Sequence, residues 1–290
     1  HINGLVKRAL AKGYDLYDVL YAACIKPTEH YNIPVGLLRV NDPADLIIID
    51  NPQDFNILQT YINGELVAEN GRTLLPHTTA APINNFNTKH KSPADFVVPA
   101  NGPGAILNVI EALEGQLITN CIEVPATIEN GTIISNAEND VLKIVVVNRY
   151  DPEAPPAIAF IKNFELKAGA IASTVAHDCH NIIAVGVDDT SLCNAINALI
   201  DARGGISVSG ADGIVHCMPL PIAGLMTGDD GYEVARQYSR LDAQAKALGT
   251  SLKAPFMTLS FMALLVIPSL KLSDKGLFDG SRFEFVLVQK

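Results

Sequence analysis

Between Leu5 and Ala23 the apolar positions Leu5, Val6, Ala9 and Leu10, then Leu16, Val19, Leu20 and Ala23, recur at three- and four-residue spacings, with Gly13 as a break. The pattern predicts two short amphipathic helices, and their apolar stripe needs another surface to dock on. After Pro27 the pattern predicts strands. Ala44 to Asp50 is β-branched and bounded by Pro43 and Pro52, and Ile57 to Ile62, Asn63-Gly64 and Glu65 to Glu69 form a hairpin on a tight turn. Residues 76–104 carry Pro76, Pro82, Pro93, Pro99 and Pro103 with Asn84, Asn85 and Asn87, and no period survives there, as expected of an interdomain linker laid along a surface.

Beyond the linker, strands and helices mix. Val141 to Asn148, Ala157 to Ile161 and Ile182 to Val187 predict buried strands. Thr190 to Ala202 predicts a helix opened by Asp188 or Asp189 and stopped near Gly204-Gly205. Ile206 to Ser209 and Ile214 to Met218 predict a hairpin across Gly210-Ala211-Asp212-Gly213, and Asp229 to Leu248 a long helix ending at Gly249. The expected fold class is α+β (mixed α/β), with a mixed sheet in a C-terminal domain of about 180 residues. No repeat of fixed period is visible.

Composition narrows the function classes. A hydrophobic content of 48% with 18% charged residues describes a globular core. The net charge of -10, from 21 Lys plus Arg against 31 Asp plus Glu, disfavours nucleic acid or an anionic membrane as a partner. The longest apolar run, Phe256 to Ile267, is interrupted by Thr258 and Ser260 and closed by Pro268, short of the roughly 20 residues a membrane span needs. The start, His1-Ile2-Asn3-Gly4, has no apolar export region, so a cytoplasmic location is expected. Cys24, Cys121, Cys179, Cys193 and Cys217 are odd in number and lack CxxC spacing, which predicts reduced, mostly buried thiols. Because the chain opens on His1 with a helix already under way, a fragment of a longer protein is expected.

The order of helix, Cys24 to His30, Ile33-Pro34-Val35-Gly36 and then Asn41-Asp42-Pro43-Ala44-Asp45-Leu46-Ile47-Ile48-Ile49-Asp50 resembles the end of an amidohydrolase, where the last barrel helix returns to a small β-sandwich. Three ordered blocks narrow the resemblance: Ala176-His177-Asp178-Cys179-His180-Asn181-Ile182 through Gly186, Pro219-Leu220-Pro221-Ile222-Ala223-Gly224-Leu225-Met226, and Pro255 to Leu264 continuing through Lys271-Leu272-Ser273-Asp274. Together they resemble the C-terminal portion of bacterial adenine deaminases. Asn41, where Gly is commoner in that turn, and Cys179 depart from the pattern.

The resemblance implies four parts: terminal helices of a (β/α)₈ barrel at 1–32, a β-sandwich module at 33–75, the linker at 76–104 and the deaminase C-terminal α/β domain at 105–290. It also implies metal-dependent hydrolytic deamination of adenine to hypoxanthine and ammonia in purine salvage, with Mn or Fe as the divalent metal activating a water. None of the barrel's metal ligands has a match here, and the sequence contains no His-x-His. The chain alone is therefore expected to be inactive, with its own N-terminal barrel as partner and a homo-oligomer as the assembly.

The densest cluster of coordinating side chains is His177-Asp178-Cys179-His180-Asn181. On a loop, His177, Asp178 and His180 could hold a cation, and Asn181 with them could reach the purine. The competing explanation is a buried, hydrogen-bonded histidine beside a capping aspartate. His216 shares strand parity with Met218 and is expected to be a packing residue, His30 a turn residue, and His77 and His90 solvated linker residues. Gly224 and Pro219-Leu220-Pro221 suit either a substrate-covering loop or an ordinary turn. Thr227-Gly228-Asp229-Asp230 fits a helix cap, and Phe256, Met257, Phe261 and Met262 fit core packing. Two alternatives to the deaminase reading remain: a non-catalytic assembly module, and a different amidohydrolase acting on a cyclic amidine or amide.

Overall fold

The computed structural model describes residues 1–78 and 80–290. Thr79, inside the segment expected to be a linker, lies outside the described residues. The chain divides into two compact units, His1–Thr78 and Thr79–Lys290.

In the first unit, α1 (Ile2–Ala11) and α2 (Leu16–Leu20) occupy the stretch predicted to be helical, and Asp15 caps α2 by accepting from the Tyr17 and Asp18 amides. Helical structure then continues where strands were expected, through a π-helical turn at Tyr21–Ile25 into α3 (Lys26–Tyr31). Pro27 does not stop it, because it stands in the first turn of α3, where a missing N–H costs no helical hydrogen bond. Strands β1 (Leu46–Ile49), β2 (Ile57–Ile62), β3 (Glu65–Glu69) and β4 (Arg72–Thr73) form an antiparallel sheet in that order. Asn63 and Gly64 both take positive φ, as the tight turn between β2 and β3 requires. Many apolar side chains of this unit stay in the open, Leu5 at 56%, Tyr17 at 78% and Val40 at 91% exposure among them.

The second unit opens with coil, a short 3₁₀ turn at Pro93–Phe96 and β5 (Val98–Pro99). Its segment is not a bare surface tether: Phe86 and Phe96 are buried in the core, and the Lys91 amide donates to Asn197 Oδ1 at 2.8 Å. The strands that follow are β6 (Ile106–Ala112), β7 (Thr119–Pro125), β8 (Ile128–Glu129), β9 (Thr132–Ile133), β10 (Leu142–Val147), β11 (Ala157–Lys162), β12 (Ala170–Ser173) and β13 (Ile182–Gly186). After α4 (Asp189–Asp201) come the paired strands β14 (Gly205–Ser209) and β15 (Val215–Pro219), then α5 (Gly231–Ala247) and α6 (Pro255–Phe261), and last β16 (Leu270–Ser273), β17 (Gly276–Asp279) and β18 (Glu284–Phe285). Eight of these strands make one sheet in the order β15-β14-β12-β13-β10-β11-β6-β7, antiparallel throughout except where β11 meets β6. The fold is thus α+β with a mixed sheet, as expected.

Both faces of that sheet are covered, which explains the apolar run Ile144–Val147 of β10: Ile144 and Val146 face α5, α6 and the β16–β17 hairpin, while Val145 and Val147 face α4 and Phe86. Helix α4 begins where Asp188 accepts from the Ser191 amide at 2.7 Å, and α5 where Asp230 accepts from Tyr232 and Glu233. Strands β6, β12 and β16 went unpredicted because their apolar runs are short and buried on both sides, leaving no alternation to read, while β7 and β18 are largely exposed and carry too few apolar residues to stand out.

Three other expectations are corrected. His216 is exposed, because β15 lies at the sheet edge and only Met218 beneath it is buried. Met257 points outward at 53% exposure from α6, while Phe256 and Met262 are buried. Cys24, Cys121 and Cys179 are exposed, Cys217 is half-buried and Cys193 is buried; burial pushes the Cys193 thiol up and the Cys217 thiol up to about 11. Among the described residues no helix is long and apolar enough to cross a membrane.

Charge enters the core at Lys143, only 1% exposed, whose Nζ donates to Asp189 Oδ1 at 2.6 Å and to the Phe96 carbonyl at 2.8 Å. This contact ties the sheet, the start of α4 and the 3₁₀ turn together. Removing the carboxylate would leave a buried ammonium with one neutral partner. Asp189→Ala should therefore lower the stability by about 3 kcal/mol in urea denaturation. Glu153→Ala, which breaks the exposed pair with Lys89, should cost less than about 1 kcal/mol. Equal losses would refute a structural role for the buried pair.

Candidate functional site

Strands β12 and β13 are neighbours, and the loop between them holds the predicted cluster. Thr174 begins it, buried, with its hydroxyl donating to the Gly224 carbonyl at 2.6 Å and its amide donating to Gly205 O. The His177 amide donates to Ser260 O in α6 at 3.0 Å, and the His180 amide to Ala176 O at 2.7 Å with His180 in the left-handed region. These bonds hold a short loop whose side chains part in two directions.

His177 and His180 turn inward. The His177 ring stacks on Phe261 with centroids 4.8 Å apart and meets His180 edge-on at 5.8 Å. Asp178 and Cys179 are exposed and line a cleft of about 410 Å³ whose other walls include Asp274, Phe278, Phe283 and Phe285. Asp274 accepts from Asn148 Nδ2 at 2.8 Å. Asn181, 2% exposed, spends its side chain on the fold, accepting from the Arg149 amide at 3.2 Å and reaching Cys179 Sγ at 3.3 Å. The loop therefore brings His177 and His180 together and keeps Asp178 on the cleft side. Among the described residues no group of three His, Cys, Asp or Glu side chains is placed to hold a metal ion.

The residue that sequence reasoning missed is Arg149, just past β10. It is 4% exposed, packed over the Phe86 and Tyr150 rings, and donates from Nη2 to Tyr150 Oη at 2.9 Å. Tyr150 in turn donates to Cys179 O at 2.9 Å. The available signal was a cation two residues after the apolar run Ile144 to Val147. Gly224, left open between loop and turn, has a plain role: a Cβ there would stand 2.0 Å from Arg149 Nη1, so only glycine leaves room for the guanidinium.

Burial, then repulsion from His177 and Arg149, holds the His180 imidazole below its usual value of 6.5, with Asp178 opposing. The folded chain thus binds that proton less readily than the unfolded chain. Its contribution to stability is complete above pH 6.5 and is lost as pH falls through the lower folded value. Between pH 7 and pH 5 the melting temperature of the wild type should fall more than that of His180→Asn, since asparagine tolerates the left-handed backbone. Identical pH profiles would show that another group titrates.

Residues 116–284 match the adenine deaminase C-terminal domain family, and residues 3–67 match the amidohydrolase family. The chain is 51% identical to the adenine deaminase of Salinibacter ruber (strain DSM 13855 / M31), over 99% of this chain and 52% of that protein. It is 50% identical to the adenine deaminase of Sulfurovum sp. (strain NBC37-1), over 99% and 52%, and 48% identical to that of Methanosarcina acetivorans, over 99% and 53%. The chain spans about half the length of the curated relatives it matches.

Proposed function

The chain belongs to the adenine deaminase C-terminal domain family, and from that premise we propose that it is part of a cytoplasmic, homo-oligomeric enzyme of purine salvage. That enzyme hydrolyses adenine to hypoxanthine and ammonia. The observation that carries the reading is the similarity to proteins named adenine deaminase along 99% of this chain.

The amidohydrolase match implies a divalent metal, for which we propose Mn²⁺ or Fe²⁺. The described residues do not fit it, since they contain no trio of His, Cys, Asp or Glu side chains placed to hold a metal ion. What this chain supplies is an enclosing surface. The cleft beside Asp178 offers the edges and faces of Phe283 and Phe285, 72% and 52% exposed, together with the carboxylates of Asp178 and Asp274. Aromatic faces suit a planar base, and carboxylates accept from its amino and ring N–H groups. His177 and Asn181 hold the loop that presents Asp178. The exposed apolar residues of the first unit, Leu5, Tyr17 and Val40 among them, are in this reading covered by the barrel of the complete protein.

The exposed Phe283, Phe285 and Leu287 favour a second reading, in which the second unit serves assembly. The complete gene product supplied with Mn²⁺ or Fe²⁺ should release ammonia from adenine; no release with either metal refutes the deaminase reading. In that protein His177→Ala with His180→Ala should lower kcat/KM at least tenfold while the circular dichroism spectrum is kept, roughly 1.4 kcal/mol or more of transition-state binding. Unchanged kinetics with an altered association state would favour assembly.

A further inference from the structure

Among the described residues of the second unit three cations are buried, and each is treated differently. Lys143 has a carboxylate, as described above. Lys271 has the Leu117 carbonyl at 2.7 Å, and burial lowers its ammonium to about 8, so it gives up its proton more readily than a solvated lysine. Arg149 has neither outlet. A guanidinium does not deprotonate in a protein, and its Nε and Nη1 have no hydrogen-bond partner although both are buried. No carboxylate forms an ion pair with it among the described residues.

Another unpartnered atom accompanies it. His180 Nδ1, which belongs to the same loop as the Tyr150-bonded Cys179 carbonyl and lies close enough to Arg149 to feel its charge, is buried without a partner and donates in the tautomer that carries its proton there. The segment that carries Phe86 is held to Arg149 by the Asn87 amide, which donates to the Arg149 carbonyl at 2.7 Å. The guanidinium is fixed from several sides, by Phe86, Tyr150 and the bare Cα of Gly224. A buried, immobile, uncompensated positive charge with free N–H groups is what a protein prepares for an anion.

We propose that Arg149 and His180 form an oxyanion subsite, one that takes a carboxylate or phosphate group whose oxygens accept from the unpaired N–H groups. An ion held there would tie Arg149, against which Phe86 and Asn87 rest, to the 174–181 loop and so steady the loop that carries His177. The inference stands on these contacts and not on the deaminase reading.

Isothermal titration and thermal melting of the 290-residue chain with formate, acetate and inorganic phosphate, against chloride at equal ionic strength, test it. The expected result is saturable binding with a raised melting temperature for at least one oxyanion and none for chloride. In the same titration the His180 imidazole pKa, followed by NMR, should rise. Arg149→Met should weaken binding at least tenfold and abolish the His180 response. Should that variant not fold, Arg149→Lys keeps the charge and should bind at least fivefold more weakly. No binding by any of the oxyanions, or an equal response to chloride, overturns the proposal. Repeating the titration on the complete gene product separates the sources: retained binding identifies a free ion, and binding lost there but present in the 290-residue chain identifies a side-chain carboxylate of the complete protein.

Discussion

Covering both faces of the eight-stranded sheet is the constraint on which the second unit depends. Its central strands carry apolar residues toward each side, so a helix or hairpin has to lie on both, and α4 takes one face while α5, α6 and the β16–β17 hairpin take the other. Connections between strands must then emerge at the sheet's ends. The loop from β12 to β13 is one of these, and its short reach between two buried strands brings His177 against Phe261 and Asn181 against Arg149.

The same enclosure explains how charge behaves there. A sheet buried on both sides leaves water little access, so a cation that enters is costly unless it finds a partner or gives up its proton. Lys143 has its carboxylate, and burial lowers the Lys271 ammonium, held by the Leu117 carbonyl, to about 8. Arg149 is held by backbone bonds and ring contacts that fix its position without neutralising it, and the glycine at 224 is the cost of that placement. Polar groups therefore gather at both ends of β10, Lys143 with Asp189 at its start and Arg149 with His180, Tyr150 and the exposed Asp178 past its end.

The first unit behaves differently. Its sheet has only four strands, and much of its apolar surface is in the open. The apolar stripe between Leu5 and Ala23 was legible in the sequence, and with it the need for a docking surface, since helical periodicity reports which side of a helix avoids water. Where the helix would end was not legible: Pro27 looks like a stop signal along the chain and becomes a first-turn residue only once a π-helical turn delivers it to the start of α3.

Local chemistry determined the elements whose signals are short-range: the Asn63-Gly64 turn, the Asp188 and Asp230 caps, the apolar strand β10 and the family resemblance carried by ordered motifs. The cluster at 177–181 was visible too, as a run of coordinating residue types. Which of those side chains meet, and with what, depended on contacts far apart in sequence. Arg149 meets Gly224, Phe86 and the 179–181 loop only through the sheet order. Strand pairing brings distant residues together, and no one-dimensional pattern encodes which cation it leaves without an anion.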